Sequence, residues 1–245
     1  QRLTSESVTI TLAAFVGAVI GLVAHDLAAQ ALKDQPLRPL VGTCPGCGHR
    51  RGWFRFGCPQ CGRRLLREAV VVVATAVVAV GFVNAVGTGW ALFPYAGFLL
   101  LTAALMLTDI DDMRIVDRLN IRGSVLLVAG LGVVALSTGE SAAFWRSVGG
   151  GAAYLGGAFV LFVVARGNGF GAGDVKLAPL LGVFTTFLAW IILGRSVVAT
   201  AFIGGILAVI VLVFSEAKRD TELPYGPAMI LGAWLSIISH GISTF

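Results

Sequence analysis

Eight long apolar segments constrain the fold of this chain more than any other feature of its sequence. They lie at about residues 8–32, 69–86, 90–108, 121–138, 145–165, 175–193, 196–215 and 226–240. A helix needs about 20 residues to cross the hydrocarbon core. The fourth and eighth segments are short, so we expect eight spans, with seven as the alternative. Only 13% of the residues are charged, against about 25% in soluble domains. The sequence therefore predicts an all-α, polytopic integral membrane protein.

These segments divide the chain into three parts. Residues 1–32 form a first transmembrane helix, and residues 33–68 form a basic loop that contains four cysteines. Residues 69–245 form a membrane core of seven helices, which holds the candidate catalytic residues. Glycine pairs such as Gly17 and Gly21, and the glycine-rich stretch 149–157, are expected to let neighbouring helices pack closely.

The distribution of basic residues predicts the orientation of the chain in the membrane. If Gln1 lies outside, every Lys and Arg falls on the cytoplasmic side except Arg2, Arg146 and Arg195. Such an asymmetry follows the positive-inside rule. It explains the basic isoelectric point, near 9.4, without a nucleic-acid partner. Under this topology Asp109 and Asp174 lie at the same cytoplasmic face, where they can meet.

All four cysteines lie in the first cytoplasmic loop as two Cys-x-x-Cys turns. Two such turns supply the four thiolates of a closed, structural zinc site, formed here by Cys44, Cys47, Cys58 and Cys61. Because the cytoplasm is reducing, disulfide or redox use is the weaker interpretation, and another metal is a further alternative. The surrounding basic residues could contact anionic lipid head groups or an acidic partner.

Asp109 and Asp174 each stand where an apolar segment meets a polar loop. Carboxylates next to a bilayer are costly and usually functional. Two of them at one depth could share a proton and activate water, as in aspartic proteases. The neighbouring Asp111, Asp112 and Asp117 are interpreted as solvated or loop-capping residues.

A glycine-rich loop, residues 166–176, contains the second aspartate. Glycine permits unusual backbone angles and removes side-chain bulk, so an extended peptide could bind along the main chain at Gly171 and Gly173. Lys176 could favour the ionised form of Asp174 or anchor its helix at the lipid head groups. The alternatives are an ordinary flexible connector, or Asp174 as the N-cap of the next helix.

These motifs resemble those of a known family. Gly171-Ala172-Gly173-Asp174, followed by Lys176, resembles the GxGD signature of the bacterial type IV prepilin peptidases, and more distantly that of archaeal preflagellin peptidases and presenilin. The segment from Asp109 to Asp117 is similar to the family's other aspartate motif, with Val116 where proline is usual. The double Cys-x-x-Cys loop is typical of the bacterial members. The resemblance covers nearly the whole chain.

The resemblance implies an aspartic endopeptidase of the bacterial inner membrane. Its substrates would be prepilins, pseudopilins or prepilin-like proteins, cut after a glycine at the cytoplasmic face. Many members also N-methylate the product with S-adenosylmethionine. At the end of the first span, however, Leu22 and His25 replace a serine and an asparagine of the family motif. S-adenosylmethionine is therefore expected only if methyltransferase activity is retained, and the neighbouring pair His25 and Asp26 receives no assigned role.

Two other classes of function compete with the peptidase. Intramembrane carboxylates also serve as proton or cation relays in transporters. These two lie at one face rather than midway across, and no inverted repeat of the kind found in many transporters is evident. The third class is a pilus-assembly scaffold that docks through its zinc loop. The sequence predicts membrane lipids as neighbours and makes no prediction of oligomeric state.

Overall fold

The computed structural model describes residues 2–33, 65–165, 170–214 and 225–243, together with residues 37 and 49. Within these ranges the chain is entirely helical apart from short connections, which confirms the all-α prediction. The helices are α1 (Arg2–Leu32), α2 (Leu65–Val86), α3 (Leu92–Asp112), α4 (Asp117–Ser137), α5 (Ser141–Val164), α6 (Ala172–Leu188), α7 (Trp190–Phe214) and α8 (Gly226–Ser243).

Six of the eight described helices are long and apolar enough to cross a membrane, namely α1 to α5 and α7. Helices α6 and α8 are shorter. Each predicted segment corresponds to one helix, although the ends differ. Helix α2 begins at Leu65, earlier than the predicted start at residue 69. Leu65, Leu66 and Glu68 precede the apolar run, but leucine and glutamate favour helix.

Helices α3, α6 and α8 form the buried centre of the bundle. Phe98 of α3 stacks on Phe184 of α6 with ring centroids 4.4 Å apart, and the hydroxyl of Tyr95 donates to the Phe184 carbonyl at 2.6 Å. Trp234 of α8 donates through its indole nitrogen to Thr102 Oγ1 at 3.1 Å. Buried Tyr and Trp side chains need such partners. Both bonds hold α6 and α8 against α3.

The boundary between α6 and α7 differs from the predicted one. The sixth apolar segment was expected to run to residue 193, but α6 ends at Leu188, and Ala189 has extended backbone angles. The half-buried Arg146 of α5 donates to the carbonyls of Thr186, Phe187 and Leu188. These carbonyls have no partner within their own helix. A residue distant in sequence thus stabilises the break, which hydropathy alone cannot reveal.

Glycines bring two helix pairs into backbone contact, as expected. A methyl group on Gly182 of α6 would lie 2.5 Å from the Gly150 carbonyl of α5, and one on Gly21 of α1 would lie 2.9 Å from Val72 Cα of α2. Gly156 and Gly157 were expected to share this role, but no heavy atom of the described chain lies within 4 Å of a methyl group built there.

Candidate active site

The two candidate catalytic aspartates lie on two central helices. Asp109 is in the last turn of α3, and Asp174 is in the first turn of α6. Their relative exposures are 5% and 6%. Neither carboxylate forms an ion pair within the described ranges. The fold therefore buries two acidic groups that no cation neutralises there.

The backbone of Gly226, at the start of α8, marks the point where the two carboxylates meet. A methyl group built on Gly226 would lie 2.7 Å from Asp109 Oδ2 and 3.4 Å from Asp174 Oδ1. Both oxygens therefore face one small space. Asp109 Oδ2 is buried and has no hydrogen-bond partner among the described residues. The arrangement can hold a shared proton, or a water molecule between the two groups.

The other oxygen of Asp174 is used to begin its helix. Gly171 is the N-cap of α6, and its backbone amide donates to Asp174 Oδ2 at 2.9 Å. Asp174 is therefore not the N-cap, which was one interpretation of the sequence. It stands at the third helical position and bonds back to the cap, as an acidic residue does in a capping box. This bond aims the remaining oxygen, Oδ1, towards Asp109.

The glycines of the GxGD motif have a structural use here. Gly171 is extended and Gly173 is helical, so neither needs a positive φ, contrary to the expectation of unusual angles. A methyl group on Gly173 would lie 3.2 Å from Ile115 Cβ, so the absence of a side chain lets the two aspartate loops touch. Gly167 and Gly169 lie outside the described residues.

Lys176 joins the two aspartate loops rather than facing Asp174. Its ammonium Nζ lies 2.7 Å from Asp117 Oδ2, and its backbone carbonyl accepts a hydrogen bond from Asn120 Nδ2 at 3.0 Å. Asp117 was expected to be a solvated or capping residue, and it is in fact paired, although half exposed. Asp111 is paired as well, with Arg67 Nη1 at 2.7 Å from its Oδ1.

Val116 stands where proline is usual in the family motif. Val116 precedes α4 with φ −71° and ψ 107°, and proline fixes φ near −65°. Its carbonyl accepts the amides of Leu119 and Asn120. Valine therefore adopts a φ close to the one that proline would impose.

Sequence reasoning missed the segment that closes the site, Tyr225 and Gly226. The Tyr225 ring packs on Phe170, with centroids 5.3 Å apart. Burial and the negative charge of Asp174 both raise the pKa of Tyr225, so its hydroxyl stays protonated at neutral pH. The only signal in the sequence was the Tyr-Gly-Pro run before the last apolar segment.

A second buried polar group lies between α1 and α2. His25 Nδ1 is 3.9 Å from Glu68 Oε1, and both side chains are buried, as is that of Gln30. The four predicted zinc ligands, Cys44, Cys47, Cys58 and Cys61, lie outside the described residues, so the metal site stays a prediction.

Comparison with known proteins points to one family. Residues 96–213 match the sequence model of the type IV leader peptidase family, and this stretch includes both aspartates. A prepilin leader peptidase/N-methyltransferase of Pseudomonas aeruginosa is 28% identical over 94% of this chain and 89% of its own length. One from Stutzerimonas stutzeri is 27% identical over 80% of this chain and 70% of its own length. No solved structure matches the chain.

Proposed function

We propose that this chain, a multi-pass membrane protein similar to the type IV leader peptidase family, is an aspartic endopeptidase in which Asp109 and Asp174 activate water. The observation that carries the proposal is the space beside Gly226, which Asp109 Oδ2 and Asp174 Oδ1 both face. An aspartic protease needs two carboxylates at one such point.

The mechanism follows from placing two like charges together. Two adjacent carboxylates cannot both ionise easily, so one proton is retained and the pair titrates as a unit. The ionised member removes a proton from water, while the neutral member donates to the carbonyl oxygen of the scissile peptide. Water adds to give a tetrahedral diol, and collapse of the diol releases the new amine. No covalent bond to the enzyme forms.

The proposed substrate is a prepilin, a pseudopilin or a prepilin-like protein. Its short leader ends in glycine, and an apolar helix follows the cut. The leader would be removed at the cytoplasmic membrane face. The apolar helix can lie along the bundle in the bilayer, and the extended residues around the cut can bind the backbone near Gly171 and Gly173. Lys176 binds Asp117, so its proposed contribution to substrate binding is to hold this surface together.

We further propose that the protein lies in the bacterial inner membrane with its N-terminus outside. The positive-inside rule supports this orientation, because only Arg2, Arg146 and Arg195 would then lie outside. The ends of α3 and α5, and the starts of α2, α4 and α6, would all face the cytoplasm. Both aspartates and the cysteine loop would share that side.

The cysteine loop is proposed to hold a structural zinc ion. Four thiolates at Cys44, Cys47, Cys58 and Cys61 would complete its coordination, with no position left for water or substrate. The metal would order the loop between α1 and α2. Arg67, which follows the loop, pairs with Asp111 of α3 and could link the loop to the end of the helix that carries Asp109.

The relatives' name also includes an N-methyltransferase activity. Methylation would need S-adenosylmethionine, and the family motif associated with it is altered here at Leu22 and His25. The described residues show His25 buried beside Glu68. Because cleavage and methylation are separate reactions, the test must report each of them.

The decisive experiment is mass spectrometry of a purified prepilin after incubation with this protein. We expect a product that begins directly after the leader glycine, and an added methyl group would appear in the same spectrum. Asp109→Asn and Asp174→Asn should each abolish cleavage. The exposed Asp112 is a matched control in the same segment, and Asp112→Asn should cleave normally. Full cleavage by either catalytic variant would refute the proposed pair.

A further inference from the structure

Two buried hydroxyls in the bundle differ from all the other buried Ser and Thr side chains of the described chain. The others donate to a carbonyl three or four residues earlier in their own helix: Thr75, Thr102, Thr108, Ser147, Thr185, Thr186 and Ser236. Ser196 and Thr200 on α7 are 0% and 4% exposed. Their hydroxyls have no hydrogen-bond partner within the described ranges. An unpaired buried hydroxyl costs about 1–3 kcal/mol, so such groups usually have a ligand.

The surroundings of these hydroxyls form a small polar cluster. The phenol of Tyr154 on α5 lies near both of them and interacts with each, but neither contact meets the distance and angle of a direct hydrogen bond. On the opposite side is Gly232 of α8, where an added methyl group would lie 2.4 Å from Thr200 Oγ1 and 2.8 Å from the Ser196 carbonyl. We call Tyr154, Ser196 and Thr200 the hydroxyl cluster. Three hydroxyls that face one another without bonding directly are suited to water, which needs two to four polar partners.

The hydroxyl cluster connects to the aspartate site along α7 and α8. Ser196, Thr200 and Gly204 recur every fourth residue and so share one face of α7. A methyl group on Gly204 would lie 2.7 Å from the Tyr225 ring, and the next residue, Gly226, borders both carboxylates. Along α8, Gly232 lies about 9 Å from Gly226 at 1.5 Å per residue. Asp174 and Tyr225 are also close enough to act electrostatically on the Tyr154 phenol.

We propose that the hydroxyl cluster binds ordered water inside the bundle and supplies it past Tyr225 to the space between Asp109 and Asp174. The water site does not depend on the proposed function, whereas its role in supplying water for hydrolysis does. Hydrolysis consumes one water molecule per peptide bond. Both carboxylates are buried, so replacement water reaches them through the protein, and these hydroxyls provide one polar route.

Radiolytic hydroxyl-radical footprinting tests the water site without any need for activity. Radicals form from bound water and oxidise adjacent side chains, and mass spectrometry locates the product. Tyr95, which is fully buried and whose hydroxyl bonds directly to Phe184, gives the background. Tyr154 is only partly buried, so the decisive comparison is between the native protein and a variant without the two hydroxyls. We expect modification of Tyr154 well above that of Tyr95, and a clear decrease of the Tyr154 modification in a Ser196→Ala, Thr200→Val double variant. Equal modification of the two tyrosines, or a Tyr154 signal that the double variant retains, would overturn the proposal.

Kinetics of the same double variant test the supply role. We expect a lower kcat with unchanged KM. A Ser196→Ala, Thr200→Ser variant, which keeps one of the two hydroxyls, should recover activity. An unchanged kcat in a variant that has lost the Tyr154 signal would show that the water takes no part in hydrolysis. The two proposals fail separately: cleavage by Asp109→Asn would refute the catalytic pair, while the footprint of Tyr154 would stand.

Discussion

Lys176 Nζ lies 2.7 Å from Asp117 Oδ2, so an ion pair joins the loops that carry the two catalytic candidates. Asp117 begins α4, directly after the turn that follows Asp109, and Lys176 follows Asp174 on α6. The Asn120 side chain reinforces the junction by donating to the Lys176 carbonyl. The spacing of two carboxylates on different helices depends on such connections.

Breaking this ion pair should slow the enzyme slightly without stopping it. Half-exposed pairs contribute up to about 1 kcal/mol, so Lys176→Met should lower kcat/KM by at most about fivefold. Arg122→Met, which removes an exposed charge from α4, is the control. A double-mutant cycle with Asp117→Asn measures the coupling. Complete inactivity of a folded Lys176→Met protein would instead indicate direct contact with substrate.

Val116→Pro should be tolerated and stabilising. The native φ of −71° already suits proline, and the substitution reduces the freedom of the unfolded chain by about 0.4–1 kcal/mol. We expect a small rise in the midpoint of thermal unfolding and normal prepilin cleavage. The Leu126→Pro variant, with proline in the interior of α4, should be severely destabilised. A loss of cleavage in Val116→Pro would mean that the turn differs from the one described.

Gly226→Ala should inactivate the enzyme. The added methyl group would lie 2.7 Å from Asp109 Oδ2, closer than van der Waals contact, so the carboxylate must move. A displacement of about 1 Å can cost about 100-fold in rate. Gly205→Ala on α7 has no neighbour within 4 Å and should keep full activity. Equal activity of the two variants would argue against the position of Gly226.

Arg146→Met should destabilise the fold. The guanidinium bonds to three carbonyls at the end of α6, and hydrogen bonds to charged groups contribute about 1.5–3 kcal/mol. We expect a lower thermal midpoint in detergent, with a near-native rate for the protein that stays folded. Arg195→Met, at an exposed arginine, should leave the midpoint unchanged. A similar shift in both variants would point to a general effect of charge.

The cysteine loop should affect yield more than chemistry. Cys44→Ser with Cys61→Ser removes two proposed zinc ligands, so metal analysis should show loss of zinc and expression should fall. Any enzyme that survives should still cut prepilin, because a closed zinc site has no open position for substrate. His49 lies next to the first Cys-x-x-Cys turn, but four thiolates already complete the coordination, so His49→Ala should retain the metal. A well-folded, zinc-free protein without activity would show that the loop takes part in catalysis.

The sequence by itself determined the all-helical membrane fold, the approximate place of each described helix and the two acidic loops. Runs of apolar residues long enough to span leave few other structures for the backbone, because its polar groups must bond internally in lipid. The resemblance in the motifs also led to the family. The catalytic roles of Asp109 and Asp174 stay predictions.

Only the tertiary structure decided which side chains meet. The break before Trp190, the pairing of Lys176 with Asp117, the position of Gly226 beside both carboxylates and the unpaired hydroxyls of Ser196 and Thr200 all depend on contacts between helices distant in sequence. Hydropathy reports how each residue partitions between water and lipid. It contains no information on which face of a helix meets which neighbour, and that geometry places the polar groups of this site.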